Sequence, residues 1–334
     1  MRELLTASLV FLAGPALAAP ILNAPKDVAA IHAIEHRNAV ELDDTALARA
    51  YAPSAVVLDY MTGGVYRGRA AIKKGFAAQL TPIKSVSARI LEQNVITDGR
   101  FACDLMTTNF HFVTKSGKAG AVSLRQMDAL EKLHGRWEVV QEQVSAPEDP
   151  KTGMAVMSNL PIRGDIAWPA DMAASQTIPP AQAYKEIRRW THDSLRVIGI
   201  NAILPYYGPG AEELAMYGPI LPGNLRGKAQ MRAYYAPSMN SFASLVTTTP
   251  VLKINTDGTL GAQIDIQNIT LHLKNGKTQA LYWRQSDCVH RIAGKWYGIL
   301  DMSSFPVDLT TGKTATTWAA FPMGPNAENS APQH

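Results

Sequence analysis

Long apolar runs are nearly absent from this chain of 334 residues. The exception is Leu4 to Gly14, and beyond it no run approaches the ~18 apolar residues that a membrane span requires. Cysteine is scarce too, with only Cys103 and Cys288, so a disulfide between them requires those two sites to meet in space. There is no concentrated basic block. The net charge of +4 is diffuse, which argues against nucleic acid as a partner. A G-x-S-x-G elbow, a Walker loop and a G-x-G-x-x-G after a strand are all missing, and no cofactor is expected.

What is present begins with the first residues. Met1-Arg2 gives a positive start, the apolar run follows, and Ala16-Leu17-Ala18 offers a small-x-small cleavage site. The spacing predicts a signal peptide over residues 1–18 and an exported protein, periplasmic or secreted. The remaining ~315 residues suit two domains of ordinary size.

The chain repeats itself. Arg125 to Val139 reads R-Q-M-D-A-L-E-K-L-H-G-R-W-E-V and returns as R-Q-S-D-C-V-H-R-I-A-G-K-W-Y-G from Arg284 to Gly298. Lys115–Gly153 aligns with Lys274–Gly312 without a gap, sharing Asp128/Asp287, Gly135/Gly294, Trp137/Trp296 and Pro147/Pro306. Such a distance marks a duplicated domain rather than a solenoid. Upstream the offset shortens by three residues: Tyr51 matches Tyr207 and His36 matches His192, which places the extra residues of the second copy before Arg226-Gly227. The expected organisation is a first domain over 27–147, a Pro-, Ala- and Met-rich linker over 148–180, a second domain over 181–313 and a tail over 314–334.

Periodicity predicts helices first and an antiparallel meander after. Helices are expected over Val28–Val40 and Arg67–Leu80, with a short one capped by Asp43-Asp44-Thr45. Strands follow over Ser85–Thr97, Ala102–Thr114, Gly120–Leu133 and Trp137–Ser145, and the second copy repeats the order from Ala181. This is an α+β pattern, a sheet curled over helices.

Helix, Y-A-P-S-A-V-V-L-D-Y-M, R-G-R-A-A-I, a meander and G-R-W-E-V-V-Q-E-Q-V-S-A-P together resemble the nuclear-transport-factor-two-like superfamily, in its SnoaL-like and ketosteroid-isomerase-like forms. The resemblance implies two duplicated cone-shaped α+β barrel domains, each a curved antiparallel sheet wrapped around helices with an apolar pocket at one end. It also implies that the two copies pair through their sheets within the chain, or that each pairs with another chain. Its site residues map onto Asp59 as general base, after the first strand, and Asp128 as a protonated acid facing the developing oxyanion. The alternative for Asp59 is a loop cap. Glu35 stands where the steroid enzymes carry a tyrosine, so the oxyanion hole is not theirs. Tyr60 and His111 are candidate substitutes, and Asn109 shares a strand face with His111 that is expected to look inward. Gln143 stands where many relatives carry a histidine, and Trp137 is read as core or pocket wall. In the second copy Asp59 becomes Ala215 and Asp287 keeps the acid position with Tyr217 and His192 nearby, a degenerate pocket that serves binding or packing. His32 to His36 spells H-x-x-E-H, but without a third ligand it reads as a helix edge that also contributes to the pocket, and no metal is expected.

The expected function is that of a cofactor-free lyase or isomerase. Its acid–base carboxylates would act on a small, largely apolar molecule, aromatic or polyketide- or terpenoid-like. The alternative is a non-catalytic periplasmic ligand-binding or assembly protein of the same fold.

Overall fold

A computed structural model describes residues 22–166, 168, 177–208 and 214–316; the expected signal peptide and most of the tail lie outside them. The chain starts with α1 (Pro25–Asn38) and α2 (Asp44–Arg49), followed by β1 (Tyr51–Leu58), β2 (Val65–Arg67) and α3 (Arg69–Leu80). The meander is β3 (Ile83–Thr97), β4 (Phe101–Thr114), β5 (Ala119–Leu133) and β6 (Arg136–Ser145). The second copy runs α4 (Pro180–Ser194), α5 (Ile200–Ile203), a 3-10 turn, β7 (Ala215–Tyr217), β8 (Asn224–Arg226), α6 (Gly227–Met239), β9 (Phe242–Thr256), β10 (Leu260–Leu273), β11 (Thr278–Ile292) and β12 (Lys295–Ser304).

Local chemistry explains the boundaries. Pro25 opens α1, where its missing N–H costs nothing. Asp43 caps α2 by accepting from the N–H groups of Thr45 and Ala46 at 2.8 and 3.2 Å. Asp98 Oδ1 accepts from the N–H groups of Arg100 and Phe101, both at 2.9 Å, and so closes the β3–β4 turn, where Gly99 takes φ 87°.

Each copy forms one six-stranded sheet, with orders β2-β1-β6-β5-β4-β3 and β8-β7-β12-β11-β10-β9. Long antiparallel hairpins make most of each sheet, and β1 joins β6 in parallel, as β7 joins β12. The fold is α+β, two duplicated cones.

Register corrects the sequence alignment. Val56 pairs with Arg67 and Gln141, while Ala215 pairs with Arg226 and Leu300. Ala215 therefore stands where Val56 does, and Asp59 is matched by Gly218. Both backbones confirm the match: Asp59 N donates to Gly64 O at 2.7 Å and Gly218 N to Gly223 O at 2.6 Å. The three extra residues of the second copy fall between Tyr207 and Ala215. The edge strands β2 and β8 carry too few residues to show a period, and the sequence reading missed both.

The two sheets meet through their convex faces. Gln141 Nε2 donates across the seam to Asn255 Oδ1 at 3.0 Å, and Thr107 Oγ1 donates to Tyr217 OH at 3.0 Å. Arg125 Nη1 donates to Gly218 O at 3.0 Å, and Arg284 reciprocates on Asp59 O. Cys103 and Cys288 form a disulfide at this seam, with Cα atoms 6.1 Å apart. Each sits opposite an alanine on the neighbouring strand, Ala129 and Ala262. The chain ends of the cones also cross over: Glu148 bridges to Ile220 and Val307 to Met61, so each domain edges the other's loop after its first strand. No described helix is long and apolar enough to cross a membrane.

Candidate functional site

Strand alternation aims one row of polar side chains into each cone. In the first cone Asp104, Asp128 and Glu142 are direct cross-strand partners on β4, β5 and β6, so they share one face. Tyr51 from β1 donates to Glu142 Oε2 at 2.5 Å, and Gln126 donates to Asp128 Oδ2 at 2.6 Å. Glu35, 1% exposed on the inner side of α1, completes the cluster through a hydrogen bond to Asp128. Burial raises every one of these carboxyls: Asp104 and Glu142 to about 7, Glu35 and Asp128 well above the usual range. Mutual repulsion among the carboxyls adds to the rise at Glu35 and Asp128.

The second cone repeats the constellation. Gln263, Asp287 and Asp301 form the cross-strand row. Tyr207 OH donates to Asp301 Oδ2 at 3.0 Å, and Gln285 Nε2 donates to Asp287 Oδ2 and Asp301 Oδ2 at 2.9 and 3.1 Å. Gln263 also donates to Asp287, at 2.5 Å. Asp287 and Asp301 are hydrogen-bonded to each other. Burial raises both carboxyls. The Asp287 charge adds to the rise at Asp301, whereas the hydrogen bond with Asp301 and those from the Gln263 and Gln285 amides relieve Asp287.

A cavity of about 1010 Å³ opens onto this row in the second cone, where the sequence placed the degenerate pocket. Tyr207, Gln285 and Asp301 line its floor, and Ile269, Leu271, Leu281, Trp283 and Phe305 line its wall. In the first cone the positions of Leu271 and Gln279 are held by Phe112 and Gly120. The Phe112 ring lies over Gly120 so closely that an added Cβ would meet it at 2.4 Å.

The expected site residues scatter. Asp59 is 4% exposed and accepts from Gln79 and from the N–H groups of Tyr60 and Met61, which makes it a loop-closing group. Burial raises its pKa, but it makes no hydrogen bond with Asp128. Tyr60, half-buried beside it, is pushed up to about 12 by burial and the Asp59 charge. Asn109 and His111 have the opposite parity to the cavity-lining positions and lie on the convex face, not inward. Asn109 donates to Ser123 Oγ at 2.8 Å, and His111 is exposed. Gln143 is buried in the seam, donating to Met302 O and Ser304 Oγ at 3.2 and 3.0 Å, and is no pocket group. Trp137 packs against the first core, with the Lys132 ammonium 5.4 Å above its ring. His32 and His36 face solvent while Glu35 turns inward, so the H-x-x-E-H residues do not converge, and only Glu35 reaches the interior. Tyr217 belongs to the seam and His192 to the surface, leaving Tyr207 as the phenol that reaches the second row.

The sequence reading passed over Gln126 and Glu142 with their partners Gln285 and Asp301, and took the matched Tyr51 and Tyr207 for core or pocket wall. The signal was there: these three pairs are identical or conservative between copies that diverge elsewhere, and they sit on strands whose other inward residues are largely apolar.

Residues 28–149 match the model of the SnoaL-like domain. Among curated proteins none matches. Similar solved structures include a nuclear-transport-factor-two-like protein of unknown function from Pseudomonas putida, at 20% identity and TM-score 0.34 over 41% of this chain and 93% of that one. Another is a scytalone dehydratase candidate from Novosphingobium aromaticivorans, at 16% identity and TM-score 0.34 over 43% and 96%. A third, from Nostoc punctiforme, has a cystatin-like fold and unknown function, at 16% identity and TM-score 0.32 over 36% and 92%. Residues 28–149 thus form a SnoaL-like domain, and a second cone with the same strand order follows it.

Proposed function

We propose that the protein is a cofactor-free lyase or isomerase of small, largely apolar molecules, and that its chemistry takes place on the floor of the second cone. One observation carries the reading. The same tyrosine, two carboxyls and glutamine recur in both cones, and in the second they face a cavity of about 1010 Å³. Asp301 touches the cavity, and burial and the Asp287 charge hold its carboxyl well above the usual range. It can protonate a hydroxyl that leaves as water while the carboxylate so formed takes up the proton lost from the adjacent carbon, or carry a proton from one carbon to another in a double-bond shift. Tyr207 and Gln285 supply further hydrogen bonds at the same spot. Asp287, behind Asp301, is a positioning residue: it shares the proton and lets Asp301 recover or release it between steps.

Export is part of the proposal. The N-terminal pattern of a signal peptide agrees with a disulfide joining the two cones, since such bonds persist in oxidising compartments.

The test is turnover of a panel of apolar β-hydroxy ketones and β,γ-unsaturated ketones, followed as dehydration or double-bond migration. Asp301→Asn should lower the rate by about 10²–10⁴-fold, and Tyr207→Phe by less. Tight ligand binding with no turnover of any panel member would favour the non-catalytic binding protein instead.

A further inference from the structure

The cavity of the second cone is largely apolar, with charged groups at its floor and at its exposed edge. Asp301 stands at the floor with Asp287 behind it. At the rim stand Glu148 and Arg163, brought there by the segment that leaves the first cone. Arg163 is exposed but anchored. Its backbone N–H donates to Glu92 Oε2 at 2.9 Å, and its Nε donates to the Asn224 carbonyl at 2.7 Å. Glu92 is itself buried and paired with Arg226. The base of the guanidinium is therefore fixed, while its two terminal nitrogens make no hydrogen bond among the described residues. Glu148, the other rim charge, accepts from Thr314 Oγ1.

A ligand entering this cavity meets a directional field. The floor is a carboxyl pair already reluctant to carry a second negative charge, so it repels an anionic end. The rim offers a guanidinium whose terminal donors match the two oxygens of a carboxylate. The rest of the lining is largely apolar, with Ile269, Leu281, Trp283 and Phe305 along it. We propose that the second cone takes an amphipathic acid: an apolar body filling the cavity, a carboxylate held by Arg163 at the rim, and a neutral hydroxyl or carbonyl at the floor against Tyr207, Gln285 and Asp301. This rests on the second cone being the ligand site, as proposed above, and adds the chemical class of what it binds.

The experiment is calorimetric titration of the intact protein with 12-hydroxydodecanoate and with its methyl ester. The acid should bind about tenfold or more tightly than the ester, the worth of a hydrogen-bonded charge, and the margin should shrink as salt rises. Arg163→Gln should erase the margin, and Arg163→Lys should restore part of it. Equal affinity of acid and ester for the wild type, no binding of the acid, or a margin unchanged in Arg163→Gln would overturn the proposal. If Arg163→Gln does not fold, the salt dependence and Arg163→Lys decide: a margin that neither alters overturns it. Asp301→Asn separates the two readings. A kept margin with unchanged turnover would sink the acid–base chemistry and leave the amphipathic acid standing.

Discussion

At the scale of single residues, the feature that most shapes this protein's behaviour is the number of carboxyls held inside it. Asp104 and Glu142 are pushed up to about 7 by burial, and Asp257, at the seam, is pushed up to about 7 by burial and the neighbouring Asp98. Glu35, Asp128 and Asp301 are raised further. In the unfolded chain such groups ionise near pH 4. The folded state therefore holds more protons between about pH 4 and 7, and their contribution to stability is full below the unfolded pKa and lost as pH rises through the folded one. Thermal melting should lie on the order of 5–10 °C higher at pH 5 than at pH 8. Glu35→Gln removes one titrating member and should narrow that gap, with most of the change at the alkaline end. A melting temperature that climbs steadily from pH 5 to 8 would show that these carboxyls are ionised in the native state.

At the scale of elements, alternation along the strands decides which residues become site and which become seam. On β6, Glu142 looks into the cone while Gln141 and Gln143 look out at the other domain. Gln143 makes its bonds inside the interface and also accepts from Ser286 Oγ at 2.7 Å. Gln143→Ala should cost about 2–4 kcal/mol, because it leaves buried partners unpaired and a void behind. Urea unfolding within 0.5 kcal/mol of wild type, on the order of a neutral surface change, would mean that water replaces the amide. The duplication, the helices-then-meander order and the cone were legible in the sequence because period and turn chemistry are local. The site was less so. Asp59 and Asp128 were picked by likeness to one family's pattern, but which face a strand residue takes depends on register, and register was misassigned by three residues around β7. His111 and Asn109 failed on strand parity alone, since they alternate against the inward residues of β4. Asp128, Glu35 and Asp287 did land in the buried rows, and the residues that complete those rows, Tyr51 and Glu142 with Tyr207 and Asp301, were recoverable from the repeat itself.

At the scale of the whole molecule, two cones of the same strand order share one seam. The seam is tied by a disulfide spanning 185 residues of sequence. Its reduction should cost about 2–4 kcal/mol and show as a lower urea midpoint in dithiothreitol; an unchanged midpoint would mean that packing alone carries the seam. The crossing segments make the second cavity's rim partly a product of the first domain, through Glu148 and Arg163. The central claim is that the second row is the one that works, and the paired positions Asp301 and Glu142 test it most directly. Turnover by Asp301→Asn and Glu142→Gln should be measured side by side on the same substrate, with folding checked for both. The account predicts a loss of about 10²–10⁴-fold for Asp301→Asn and a rate within about threefold of wild type for Glu142→Gln. Full activity in Asp301→Asn, or a loss confined to Glu142→Gln, would contradict it and return the chemistry to the first cone.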